Sequence, residues 1–135
     1  MTRSVSLASL GPAARAQAAS QIVSEEALHR AVAHYLSLAL LPPAWFTTIG
    51  HGGGGKVRGG KLKSMGLKAG TPDILIIHNR AFWIELKTTK GRMSPEQRDV
   101  HEALVRAGAC VAVCRSIPDV WRVLQLWEIP TRVAT

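Results

Sequence analysis

Asp73 follows Pro72 and opens an apolar run; eleven residues separate it from Glu85, and Leu86 and Lys87 come directly after. Residues two apart on a strand share a face, so Glu85 and Lys87 point the same way as Trp83, while Phe82, Ile84 and Leu86 take the other face. An acid and a lysine inside an apolar strand are costly to bury unless they are paired or bound to a cation. Two carboxylates on one patch repel each other, and a divalent ion relieves that repulsion. Oxygen-only donors, here Asp73, Glu85 and the Leu86 backbone carbonyl, favour Mg2+ or Mn2+ over zinc, which wants His or Cys. Such an ion acidifies a water and orients it for attack on phosphorus. Lys87 would hold that water or stabilise charge developing in the transition state. The competing account is structural, a cross-strand ion pair among Asp73, Glu85 and Lys87.

The elements that carry these residues impose a condition on the site. Asp73 to His78 and Ala81 to Lys87 read as two strands of a hairpin around Asn79-Arg80. The unbroken apolar run of the first strand suggests a central strand covered on both faces. A strict two-residue turn would pair Asp73 with Leu86 and send it to the wrong face. The site therefore requires a three-residue loop (Asn79 to Ala81), a five-residue loop or a bulge.

Around the hairpin the pattern predicts helices. Ser24 followed by Glu25 and Glu26 reads as a helix start, with Leu28, Val32, Tyr35, Leu36 and Ala39 at helical spacing up to Leu41. Pro42-Pro43 stops it, and Trp45 to Ile49 is a short strand. Ser94-Pro95-Glu96-Gln97 carries Ser at the N-cap, Pro at N1 and Gln at N3 of a helix that runs to Ala107, with Gly108 as its stop. Cys110 to Cys114 returns as a strand, which a crossover helix makes parallel to the strand carrying Glu85. Ser116 begins a final helix bearing Val120, Val123, Leu124 and Trp127. The expected fold is α/β: a three-strand antiparallel meander plus one parallel crossover strand, flanked by helices.

Residues 50–70 read as a flexible loop with nine glycines and five basic residues, Lys56, Arg58, Lys61, Lys63 and Lys68, with one helical turn possible around Lys61 to Met65. Gly50 to Lys56 matches the start of a phosphate-binding loop, G-x-x-x-x-G-K. Val57 stands where that motif needs a hydroxyl, and Gly59-Gly60 argues against the helix that would hold the phosphates. A basic loop wrapping a polyanion fits better. The chain as a whole carries a formal net charge of +8, which points to an anionic partner, a nucleic acid or a lipid surface. Lys90 and Arg92 flank Gly91 after the ExK run and are further candidates for backbone contacts.

With 47% hydrophobic and 19% charged residues over 135 positions, a disordered chain is excluded and one core is expected. The expected division is a disordered leader at 1–20, one domain at 21–130 and a tail at 131–135. No run approaches the roughly 20 apolar residues of a membrane span. Cys110 and Cys114 would lie about 13 Å apart on one strand face, too far for a disulfide. They read as buried thiols of a cytoplasmic protein. His29, His34, His78 and His101 have no metal-ligand spacing, and His51 sits in the glycine run. Trp45, Trp83, Trp121 and Trp127 read as core or dimer-interface residues.

The ordered set SEEALHRAV at 24–32, GLKAGTPDILII at 66–77, WIELKTTKGRMSPEQ at 83–97 and VAVC at 111–114 resembles the PD-(D/E)xK nuclease superfamily. Within it, the resemblance is to the VRR-NUC branch, the virus-type replication–repair nucleases. It covers residues 24–127. It implies a restriction-endonuclease-like fold and Mg2+- or Mn2+-dependent cleavage of DNA phosphodiesters in replication, repair or recombination. Asp73 and Glu85 would bind metal, with Lys87 as the catalytic lysine. Gln97 matches a glutamine that reaches the site in this branch, although it is equally the N3 residue of a capping box. Glu25 best matches a first-helix glutamate that meets the metal through water, with Glu26 as runner-up. Lone-domain relatives resemble dimeric Holliday-junction resolvases, which implies a homodimer acting on branched DNA in the cytoplasm, at the nucleoid or in a phage-infected cell. Three other readings remain: a non-catalytic basic DNA-binding module, a sequence-specific restriction-type endonuclease, and a nuclease acting on RNA.

Overall fold

The computed structural model describes residues 24–49 and 55–132. The leader expected at 1–20, His51 with its glycines, the last tail residues and the side chains of Lys56 and Arg58 lie outside the described residues.

Helix α1 spans Glu25–Ala39. Its Ser24 cap accepts from the Ala27 amide at 3.1 Å, and Glu25 and Glu26 sit at the positive end of the helix dipole. Leu28, Val32, Leu36 and Ala39 form its buried stripe. Leu40 leaves the helix in extended form and bridges Thr131, and the Arg132 amide reaches the Ala39 carbonyl at 2.7 Å. The start of the expected tail is thus tied down, because Ile129 just before it is buried in the core.

Among the described residues, β1 (Trp45–Thr48), β2 (Ile74–Ile77), β3 (Ala81–Leu86) and β4 (Cys110–Cys114) form one sheet in the order β1-β2-β3-β4. The first three are antiparallel and β4 runs parallel to β3, as expected from the crossover. Helix α2 spans Gly55–Ser64, α3 spans Pro95–Arg106 and makes the crossover, and α4 spans Ile117–Leu126. Ile74, Ile76, Phe82, Ile84, Leu86 and Cys114 present one sheet face to Leu28, Val32 and Leu36 of α1 and to Val120 and Leu124 of α4. Each of these large side chains contributes about 1.5–3 kcal/mol by leaving water. Phe82 also stacks obliquely on Trp127, ring centres 5.0 Å apart. The opposite face carries Glu85, met by Gln97 and His101 of α3.

Two expectations change here. β2 is central, but only its Ile74 and Ile76 face is closed; Leu75 is half-buried and Ile77 exposed, since α3 packs over β4 rather than over β2. The stretch read as a flexible loop holds α2, and Gly59-Gly60 lies within it. The helix ends in a Schellman turn: the Leu67 amide bonds the Leu62 carbonyl at 3.0 Å and the Gly66 amide the Lys63 carbonyl at 3.0 Å, with Gly66 at φ 107°. Lys61 and Lys63 in its last turn complement the negative end of the dipole.

Candidate active site

The hairpin register decides whether the carboxylates meet. Ile74 pairs with Ile84 and Ile77 with Ala81, so the loop is His78–Arg80, one residue earlier than Asn79 to Ala81. Asn79 turns it in the left-handed region, φ 64°, where asparagine is tolerated. A three-residue loop has the required parity. Continued by one residue, the register sets Asp73 opposite Glu85 on one face.

Asp73 is anchored from both sides. Its Oδ2 accepts from the Leu86 amide at 2.7 Å, an amide that β2 no longer serves because the strand has ended. Its carbonyl accepts from the Ile49 amide at 3.1 Å and from Thr48 Oγ1 at 3.4 Å. What the structure shows engaged at Leu86 is therefore the amide. The approach to Asp73 requires Gly70, at φ 89°, because a Cβ there would lie 2.5 Å from the Glu96 backbone at the start of α3. This explains physically the glycine of the Gly70-Thr71-Pro72-Asp73 run.

Glu85 is 1% exposed and Lys87 7%. The Gln97 side-chain amide donates to Glu85 Oε1, and Lys87 Nζ lies 3.6 Å from the same oxygen. Gln97 also completes the capping box: its Oε1 accepts from the Ser94 amide at 2.9 Å and its own amide donates to Ser94 Oγ at 3.1 Å. One residue serves both roles, the cap with its oxygen and the site with its nitrogen. Glu85 Oε2 is buried without a hydrogen-bond donor.

Glu25, Asp73 and Glu85 each place a carboxylate oxygen within 4.8 Å of the others. Glu26 instead turns outward to Arg30 at 2.6 Å. Of the two first-helix acids, Glu25 alone joins the cluster. His29, one turn after Glu25, has its Nε2 at 2.5 Å from Thr48 Oγ1, which ties the start of α1 to the strand end beside Asp73. His101, one turn after Gln97, is set with Nε2 at 3.9 Å from Glu85 Oε2, too far for a hydrogen bond. Sequence reasoning passed over both histidines; the i, i+4 spacing from Glu25 and from Gln97 was the available signal.

The electrostatics follow from this crowding. Burial first, then the Asp73 and Glu25 charges, push the Glu85 carboxyl up to about 7 against the pull of Lys87. Burial holds His101 below its usual range, with the Asp73 charge opposing and Lys87 adding to the shift. Burial thus disfavours the charged imidazole beside Glu85.

The remaining candidates stay outside the cluster. Lys61, Lys63, Lys68, Lys90 and Arg92 are exposed. Trp127 packs on Phe82, but Trp45 is 58% exposed and Trp121 52%, so neither is a core residue in this chain.

Residues 57–118 match the family model of the VRR-NUC domain, a stretch that includes Asp73, Glu85, Lys87 and Gln97. Over this stretch the chain is similar to VRR-NUC domains. A solved structure described as a VRR_NUC domain protein shares the fold, with a TM-score of 0.67 and 23% identity over 80% of this chain and 91% of that one. No curated protein matches the chain. VRR-NUC domains are nuclease domains, and the match supports a nuclease acting on DNA. Glu25 precedes the matched residues of the VRR-NUC domain, so its place in the cluster rests on the geometry alone.

Proposed function

We propose that the protein is an endonuclease that hydrolyses DNA phosphodiester bonds with Mg2+ or Mn2+, selective for branched duplexes of the Holliday-junction type, and that it works as a homodimer in replication, repair or recombination at the nucleoid. The observation that carries this reading is the buried Glu85 carboxylate. It has one oxygen without a donor and lies in an all-oxygen cluster with Asp73 and Glu25, beside a buried lysine. A buried carboxylate left without a donor is unfavourable unless a proton or a cation satisfies it.

Asp73, Glu85 and Glu25 would hold the ion, and the oxygen-only donor set suits a hard cation. When bound, the ion supplies Lewis-acid stabilisation of phosphate charge and acidifies a water. The chain's own residues do the rest. Gln97 fixes the Glu85 carboxylate by donating from Nε2 to Glu85 Oε1, and the Leu86 amide fixes Asp73. Lys87 orients the attacking water or neutralises charge on the phosphate as it develops. Lys61, Lys63, Lys68, Lys90 and Arg92, with Lys56 and Arg58, supply phosphate contacts that carry no sequence information. One such site cuts one strand, which favours a pair of copies on a duplex. Exposed Trp45 and Ile77, cross-strand neighbours at the sheet edge, offer apolar area for a second copy.

The test mixes the purified full chain with a four-way junction or a matched linear duplex, in Mg2+, Mn2+ or EDTA. Metal-dependent nicking that favours the junction is expected, with Lys87→Ala and Asp73→Asn each slower by about 100-fold or more. Cleavage that survives EDTA, or a Lys87→Ala variant at the wild-type rate, overturns the assignment. Binding without cleavage under every metal supports the DNA-binding module instead.

A further inference from the structure

The turn after β3 is held by a residue far away in sequence. Arg115, the first residue after β4, donates through Nη1 to the carbonyls of Thr88 at 2.6 Å and Gly91 at 2.7 Å. Charge-assisted bonds of this kind are stronger than neutral ones. The residue is rooted on α4, for its own amide donates to Asp119 Oδ2 at 2.9 Å. Asp119 is fixed in turn, donating its amide to Ser116 Oγ at 3.2 Å and accepting from Arg122 Nη1 at 2.8 Å. The guanidinium thus ties the start of one helix to the turn that leaves the strand of Glu85 and Lys87.

That turn lies on Lys87. The Gly91 amide closes it onto the Thr88 carbonyl at 3.0 Å. A Cβ at Gly91 would meet Lys87 Cδ at 3.4 Å, an ordinary contact, and Thr88 Oγ1 at 3.2 Å, so residue 91 lies beside the lysine stem with room for little more than a methyl group. On its other side Lys87 is held by its amide, which donates to the carbonyl of Cys114 at 3.1 Å, the residue just before Arg115.

We propose that Arg115 is a positioning residue for Lys87: by holding the Thr88–Gly91 turn it confines the lysine stem so that the ammonium stays beside Glu85. The inference rests on the role given to Lys87 above. A lysine carries a flexible four-carbon stem, and displacement of a reacting group by about 1 Å costs about 100-fold in rate. The same clamp leaves Lys90 and Arg92 exposed, so a rival role, presenting those two to DNA, makes a different prediction.

Three variants test this. Arg115→Met removes the donors and keeps much of the stem, Arg115→Lys restores a cation, and Gly91→Ala adds a methyl beside the Lys87 stem. The first readout needs no activity: the rate at which an amine-acylating reagent modifies Lys87 in metal-free full-length protein, followed by mass spectrometry. Arg115→Met should raise it about tenfold or more and Arg115→Lys should recover most of the protection, whereas Gly91→Ala, which adds a methyl beside the stem, should not raise it. Amide exchange at Ile76 and Ile84 should stay at the wild-type rate. The second readout separates cleavage rate from DNA affinity measured with Ca2+. Arg115→Met should cut about 10- to 100-fold more slowly on junction DNA while binding it within about threefold of wild type. Unchanged labelling of Lys87 overturns the proposal, as does faster exchange at Ile76 and Ile84, which marks a merely structural role. An equal fall in affinity and rate assigns Arg115 to Lys90 and Arg92 and also overturns it. If wild type fails to cut any DNA while the labelling shifts as expected, the nuclease reading fails and the positioning of Lys87 stands.

Discussion

Glu85 concentrates the chemistry of this chain in one carboxyl group. Its pKa is raised in the fold from 4.5 to about 7, so the folded state holds the proton more tightly than the unfolded chain does. The stability from that proton is fully present below pH 4.5 and is lost as pH rises through about 7. Denaturant titrations in EDTA should therefore show falling stability between about pH 5 and 7.5, and Glu85→Gln should remove most of that slope, a difference of a few kcal/mol by pH 8. Adding Mn2+ at pH 8 should recover the loss in wild type but not in Glu85→Gln. The cysteines behave differently from each other. Burial, aided by the Asp119 charge, pushes the Cys114 thiol up to about 12, whereas Cys110 is half-buried and meets Arg80 at 3.7 Å. A thiol reagent at pH 8 should titrate one group in the folded protein and two in denaturant.

At the scale of elements, the site is a junction of four ends: the start of α1, the start of β2, the end of β3 and the start of α3. The start of α3 is joined to the loop before β2 by a backbone approach that only glycine allows, at Gly70. Gly70→Ala should lower stability by about 2 kcal/mol or more, read by chemical denaturation, and should reduce cleavage further by displacing Asp73. Ser94→Ala should cost about 1 kcal/mol through the lost cap, with a loss of cleavage as well, because Gln97 is held by that cap and itself holds Glu85. A cap that served α3 alone would change stability and leave the rate untouched.

Across the whole molecule, positive charge is in excess while three of the acids, Glu25, Asp73 and Glu85, are gathered in one cluster. The formal charge is +8, and no acid lies between Glu26 and Asp73. If the exposed lysines contact phosphates, junction affinity should fall linearly in a log–log plot against salt. Lys61→Ala with Lys63→Ala should then reduce the slope by about 2 without changing which DNA is preferred. An unchanged slope would remove those two residues from the DNA surface. Among the described residues no helix is long and apolar enough to cross a membrane.

What the sequence by itself determined were the features with a local period or a local cap. The strand alternation put Glu85 and Lys87 on one face, the Ser94 to Gln97 run started α3, and the strand–helix–strand spacing made β4 parallel to β3. These follow from geometry within a few residues, or from the short list of ways to connect two strands. The helix hidden in the glycine-rich stretch was harder to read, since its lone cue was the Schellman turn at Gly66 and not an apolar stripe. Tertiary structure alone gathered Glu25 with Asp73 and Glu85 while turning Glu26 out to Arg30, set the loop at His78–Arg80, brought His101 to Glu85, pressed Gly70 on α3 and laid Arg115 across the turn beside Lys87. Each of these depends on how distant segments pack, and packing is a property of whole surfaces that no window of neighbouring residues contains.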